Sequence, residues 1–302
     1  MLDDALILAL AANGSGGSVP ETPTDALLFY ALDPFTVSNT SGTKNWDGAL
    51  YYSTDKSTWT EWDGASTITT AEANGFYVLY FRGVGNTCLS TSSAKTTIAV
   101  NGFGVYCVGS VKNLLDYSTE PTLGTYAFHS LFLNCDNVYF DLELPFKSLT
   151  LYCYTNMFRG CSSLAKSPEL PATTLNTSCY QNMFYGCAKL KDAPKLPATT
   201  LVSSCYYGMF GGCSSLASLP ELPATTLASN CYNSMFSGCS LIKLSETQTG
   251  DYQTEYRVPT SGTGTDATNA LASMFNNTGG TFTGTPTINT IYYTSNTIVP
   301  AT

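Results

Sequence analysis

From about Ala127 to Ile242, apolar and polar positions recur on one template, P-x-L-P-A-T-T-L-x-x-x-C-Y-x-x-M-F-x-G-C-x-x-L. Its Met-Phe pairs stand at Met157-Phe158, Met183-Phe184, Met209-Phe210 and Met235-Phe236, a period of 26 residues. An imperfect copy precedes them at Leu131-Phe132 and Cys135, and a divergent one follows at Met274-Phe275, after an insert around 245–266. A period of this size marks like units that stack because none can bury its apolar face alone. At 100° per residue, Cys153, Tyr154, Met157, Phe158 and Cys161 fall within an arc of about 140°, which predicts a short amphipathic helix. The column before the last Cys holds Asn134, Gly160, Gly186, Gly212 and Gly238. These residue types enter a left-handed conformation at low cost, so the column predicts where each helix stops. A short extended run such as 163–167 follows, and Pro168 and Pro171 punctuate the turn. One strand and one helical turn per copy predicts a leucine-rich-repeat-like solenoid of about six 26-residue coils.

The pattern changes upstream. Runs such as Leu27–Leu32, Ala49–Ser53 and Phe76–Phe81 are aromatic and β-branched, separated by turn clusters such as Asn74-Gly75. Short strands at this spacing predict a small β-sandwich of immunoglobulin-like size. The fold class expected is therefore α+β. Its division is an N-terminal attachment peptide and Gly/Ser linker over 1–24, a β-sandwich over 25–110, the solenoid over 111–278 and a C-terminal β cap over 279–302. The cap is expected as a hairpin over the open edge of the last coil.

The unit of GC-x-S-L, then L-P, then an aromatic helical turn and GC resembles the BspA-like leucine-rich-repeat proteins of gut and oral bacteria. Those proteins carry Ala before the Phe, where this chain has Met, and their repeats are usually shorter around P-x-L-P. The resemblance implies surface adhesion and protein–protein contact, and such repeats also occur in phage and prophage structural proteins. Residues 1–12, MLDDALILALAA, precede a glycine-rich spacer, a start that resembles the N-termini of some phage fibre proteins. A secretory signal wants a positive start, whereas this segment opens with Asp3 and Asp4 and the first Lys is Lys44.

Composition narrows the function further. A net charge of −9 with only 12% charged residues gives no basic face for nucleic acid. No apolar run reaches the length of a membrane span. Nine of the eleven cysteines fall in two repeat columns without a C-x2-C pair, so buried thiols are expected rather than zinc ligands or disulfides. Helices packed side by side would hold equivalent cysteines about 10 Å apart. The single histidine, His129, falls on the expected solvent arc, which offers little for a Ser-His-Asp triad. Glu143 and Glu169 share a column with Lys195 and Glu221, which reads as a charge ladder rather than a glycosidase pair.

No enzyme, cofactor or metal site is expected. The expected function is a non-enzymatic binding protein, a phage or prophage fibre or decoration protein located in the virion. The alternatives are a BspA-like adhesin on the bacterial cell surface and a glycan-active hydrolase. Expected partners are other virion proteins through residues 1–12 and a host-surface protein or glycan; a homo-oligomer stays open, since no heptad run specifies one. The candidate binding residues are Lys166, Glu169, Asp192, Lys195 and Glu221, in columns whose charge changes between copies, together with Trp46 and Trp62. Trp46, Trp59 and Trp62 could form a sugar-stacking surface, or Trp59 and Trp62 could fill and flank the sandwich core.

Overall fold

A computed structural model of the chain describes residues 19–301. The N-terminal attachment peptide expected at 1–12 and most of its linker lie outside the described residues. Nine strands come first: β1 (Leu27–Ala31), β2 (Thr36–Asn39), β3 (Ala49–Ser53), β4 (Thr60–Glu61), β5 (Ile68–Thr69), β6 (Ala71–Ala73), β7 (Phe76–Val84), β8 (Ile98–Asn101) and β9 (Val105–Ser110). A seventh member of the main sheet, β10 (Val138–Glu143), belongs to the first repeat copy and pairs in parallel with β9. The order is β10-β9-β1-β7-β3-β4 with β6 on β7, and a smaller sheet runs β5-β2-β8. Alternation decides which side each residue serves. Leu27, Phe29, Leu79 and Phe81 join the main core, while Leu28, Tyr30, Phe76, Val78 and Val108 form a second cluster.

The repeat region corrects the expected fold class. The chain is β-rich rather than α+β, and the only helix among the described residues is a 3-10 turn at Val111–Leu114. The segment expected as a helix is a run of overlapping turns. Odd-numbered residues bond three back, as in Met157 N–H to Tyr154 O (3.2 Å) and Cys161 N–H to Phe158 O (3.0 Å). Even-numbered residues bond 25 residues ahead, into the next copy: Tyr154 N–H to Cys179 O (2.9 Å), Asn156 to Gln181 (2.9 Å), Phe158 to Met183 (3.0 Å) and Gly160 to Tyr185 (2.7 Å). An α-helix would keep those donors for itself. Every fourth residue is also left-handed, at Tyr152, Asn156 and Gly160 (φ 56°, 55° and 76°), which an α-helix of L-residues cannot hold. Over nine residues, periods of 3.6 and 4 put the same side chains inside, so the apolar pattern could not separate the two.

The consequence is a backbone ladder from copy to copy, near strand spacing rather than the helix spacing expected. Side chains therefore stack on their equivalents. Tyr154, Tyr180, Tyr206 and Tyr232 lie ring over ring at 5.8 Å. Phe132, Phe158, Phe184, Phe210, Phe236 and Phe275 form a second column at 5.4–5.8 Å. All eleven cysteines are free. In the second cysteine column each thiol from Cys161 onward donates to a phenylalanine carbonyl of the preceding copy, as Cys187 Sγ does to Phe158 O at 3.1 Å.

Both ends of the ladder are covered. The β-domain supplies donors to the first copy, Leu89 N–H to Ala127 O (2.8 Å) and Ile98 N–H to Leu131 O (2.7 Å). At the far end Gly284 exchanges two backbone bonds with Phe275 (2.8 and 3.1 Å). One apolar core runs without a break from Leu27 to Tyr292. In place of the expected terminal hairpin, the two tail strands, β14 (Tyr292–Thr294) and β15 (Thr297–Val299), pair with strands further back in the chain and not with each other. Their partners are β11 (Ser218–Pro220), β12 (Leu244–Ser245) and β13 (Thr254–Tyr256). Strand β14 lies between β12 and β13, and β15 runs parallel to β11.

Candidate functional site

Each copy leaves its ladder through a short extended segment, and these segments differ in what covers them. The first is β10, on β9; the fourth is β11, on β15. The second and third, 163–171 and 189–197, form no strand. A continuous sheet across all copies, implied by the charge-ladder reading, is therefore absent among the described residues. Proline limits this edge in the middle copies but does not decide it, because the fourth copy keeps Pro220 and Pro223 and still pairs with β15. Pro168, Pro171, Pro194 and Pro197 carry no N–H, and where the second copy has Pro168 the first has Leu142.

Between these two uncovered segments lies a groove of about 380 Å³. Ser167, Pro168, Glu169, Leu170, Pro171, Pro194, Lys195, Pro197 and Ala301 line it. Glu169 and Lys195 are both exposed, and neither takes part in an ion pair among the described residues. Lys166 and Asp192 are exposed on the approach to the groove. Glu221 is half-buried and already engaged, its Oε2 accepting the Ala301 N–H at 2.9 Å. Of the candidate residues, the structure thus brings Glu169 and Lys195 to one groove and commits Glu221 to the tail.

Trp46 and Trp62 belong to the core. They are 4% and 1% exposed and stack on each other at 5.5 Å. Trp62 Nε1–H donates to Ser66 O at 2.9 Å, and its ring lies 5.6 Å from Phe81. A sugar has no access to these faces, which corrects the stacking-surface expectation. The remaining tryptophan, Trp59, is half-buried, with the Arg82 guanidinium 3.8 Å from its ring centre and Tyr117 on the guanidinium too, at 4.2 Å.

His129 also departs from expectation. The turn geometry takes it off the solvent arc and half-buries it beside Tyr126 (5.8 Å), with Nδ1 2.8 Å from Ser130 Oγ. Burial first, then the Lys95 charge, lowers its pKa to about 4. A histidine this weakly basic, next to a buried serine that sits at a recurrent left-handed turn position, makes a poor nucleophile pair. The buried thiols are equally quiet: burial pushes Cys153 and Cys239 up to about 12. Among the described residues no cluster of three His, Cys, Asp or Glu side chains could hold a metal ion, and no helix is long and apolar enough to cross a membrane.

Sequence reasoning missed Ser218 and Asn296. Ser218 Oγ accepts the Ala193 N–H at 2.8 Å. Asn296 sits between two copies: its Nδ2 donates to Ala217 O (3.0 Å) and Leu241 O (2.9 Å), and its Oδ1 accepts the Lys243 N–H (2.7 Å). Nothing in the local sequence of a Thr/Asn-rich tail marks that residue. No protein-family model, curated protein or solved structure matches this chain.

Proposed function

We propose that the chain is a non-enzymatic binding protein carried on a phage or prophage virion, as a fibre or decoration protein, and that it presents the groove face of its repeats to a host-surface protein or glycan. The observation that carries the reading is the groove itself. It joins an apolar, proline-lined wall to two uncompensated charges of opposite sign, Glu169 and Lys195. Uncovered apolar surface beside unpaired charge is the composition of a surface that awaits a partner. Residues 1–12 would hold the protein to other virion proteins, leaving the repeats outward. The low density of charged groups supports the reading, since binding here would rest on shape and a few placed charges rather than on a broad field.

The test is adsorption of the purified chain to candidate host bacteria, compared with Glu169→Lys and Lys195→Glu made singly. Each reversal is expected to weaken adsorption by about tenfold or more, as for a charge whose partner is desolvated on binding. Unchanged adsorption by both variants, with unaltered thermal melts, would remove the groove from the function. Mass spectrometry of purified particles tests the virion assignment.

A further inference from the structure

The groove has a filled counterpart two copies further along the stack. There the chain inserts its own tail: β15 lies parallel on β11, with Ser218 opposite Thr297, Leu219 opposite Ile298 and Pro220 opposite Val299. The pairing continues as Glu221 N–H donates to Val299 O (2.9 Å), and Leu222 N–H is taken by Thr260 Oγ1 (2.9 Å). At the root of this insertion the copies no longer bond directly. One copy earlier, Ala217 N–H bonds Lys191 O at 2.9 Å. By the 26-residue period, Lys243 N–H should bond Ala217 O. Instead the Asn296 side chain spans the gap, accepting from Lys243 and donating to Ala217. A strand has been wedged between two copies.

The same backbone positions in earlier copies show how far each slot is closed. In the column of Leu219, Ala193 N–H is capped by Ser218 Oγ, and Ser167 N–H has no partner among the described residues. In the column of Glu221, neither Lys195 N–H nor Glu169 N–H has one among those residues. The slot between 189–197 and 215–223 is thus stopped by a serine. Where the earlier slot would need that serine, the chain has exposed Asp192, and the slot stays open. The bond at its root, Lys191 N–H to Ala165 O, is a long 3.4 Å. The groove coincides with this open slot.

We propose that the groove is a strand-acceptor site: it takes an extended segment of the bound partner protein, parallel to 167–169, as β15 is taken by β11. This rests on the binding reading above and selects polypeptide over glycan as the occupant. The Ser167 and Glu169 N–H groups supply the backbone bonds, the prolines and Leu170 the apolar wall. Backbone pairing alone holds the segment, as it holds the uncharged tail strand, and a basic and an acidic residue on the segment would add to it through Glu169 and Lys195. Continuity with the β11–β15 pairing carries the argument, because there the same columns of one chain already hold a strand.

The probe is a labelled peptide with the tail's own sequence, Ser-Asn-Thr-Ile-Val-Pro-Ala (295–301), titrated onto the full chain by fluorescence anisotropy. Saturable binding is expected. It should weaken by about tenfold in Glu169→Pro, which deletes a donor, and in Ser167→Phe, which fills the slot; thermal melts confirm that at least one variant folds. No binding to the unaltered chain, or equal binding by a folded variant, overturns the proposal. So does an oligosaccharide that binds at Glu169 while the peptide does not. Host adsorption lost on charge reversal, with no peptide binding, would overturn the strand site and leave the binding function standing. Peptide binding lost in the variants, with adsorption insensitive to reversal, would support the strand site and remove the adsorption role.

Discussion

At the scale of single residues, the turn positions carry the most information. Gly186 has φ 77°, and a Cβ built there would meet nothing nearer than 3.7 Å, so the column is glycine for conformation rather than room. Gly186→Val is expected to cost about 1–2 kcal/mol, because a β-branched residue must enter the left-handed region. Gly186→Asn should cost far less, since Asn134 and Asn277 already sit in this column at φ 57°. Thermal melts of the two variants check the difference; equal losses would contradict it. Gly160 is stricter, because there a Cβ would also collide with Asn134 Oδ1. His129 gives a pH signature. Its folded pKa of about 4 lies below the ordinary value of 6.5, so the unfolded chain binds the proton more readily. That contribution to stability is intact above pH 6.5 and is lost as pH falls from there through about 4. His129→Asn should flatten the melting temperature across that window, and proton NMR of the chain's single histidine should place its midpoint near 4.

At the scale of the element, the stacked columns decide what the core tolerates. Tyr154 and Tyr206 bury hydroxyls that have no hydrogen-bond partner among the described residues, while the first copy has Phe128 in the same column. Tyr206→Phe is therefore expected to hold or raise stability, by up to about 1 kcal/mol, because an unsatisfied polar atom is removed at constant shape. Tyr206→Ala, which opens a cavity in the ring stack, should lose about 3–5 kcal/mol. A calorimetric melt that ranks Tyr206→Phe below the unaltered chain would show that the hydroxyl has a partner after all. The thiols follow the same logic of burial. Ten of the eleven cysteines are buried and only Cys88 is half-exposed. Alkylation of the native protein at pH 8 should label Cys88 alone, with the remainder reacting after unfolding. Rapid native labelling of Cys161 or Cys187 would contradict the packing of that column.

At the scale of the whole molecule, the tail acts as a fastener between distant segments. Asn296 links Ala217, Leu241 and Lys243 through three hydrogen bonds at 2.7–3.0 Å. Asn296→Ala leaves a backbone donor and two carbonyls without that side chain, an expected loss of about 1–3 kcal/mol. Hydrogen exchange should register it first at the Lys243 amide. Exchange there unchanged from the parent chain would show that the tail does not hold the two copies. The ladder also predicts cooperativity. Because one core joins the β-domain to every copy, a single melting transition is expected rather than separate ones for the β-domain and the repeats.

The sequence by itself determined the period and the main apolar core columns of the repeats, though not most of the core of the β-domain. Those depend on which positions are apolar and on spacing, and both are written locally. It also determined that Glu169 and Lys195 vary on an exposed column, and these residues stand on the two opposite walls of the groove. What only the tertiary structure decided is where each backbone N–H goes. A donor at Tyr154 reaches either the carbonyl four residues back or Cys179 in the next copy, and no residue-level preference distinguishes them over so short a segment. The turn ladder, the β-rich class and the half-burial of His129 follow from that choice, while the sealing of Trp46 and Trp62 follows from packing within the β-domain. The open slot is one step further from legibility. It exists because Ser218 caps one amide, Asp192 fails to cap its equivalent, and a tail strand from 80 residues away fills the next position instead. Such a site is a difference between copies, and it becomes visible only when the copies are stacked.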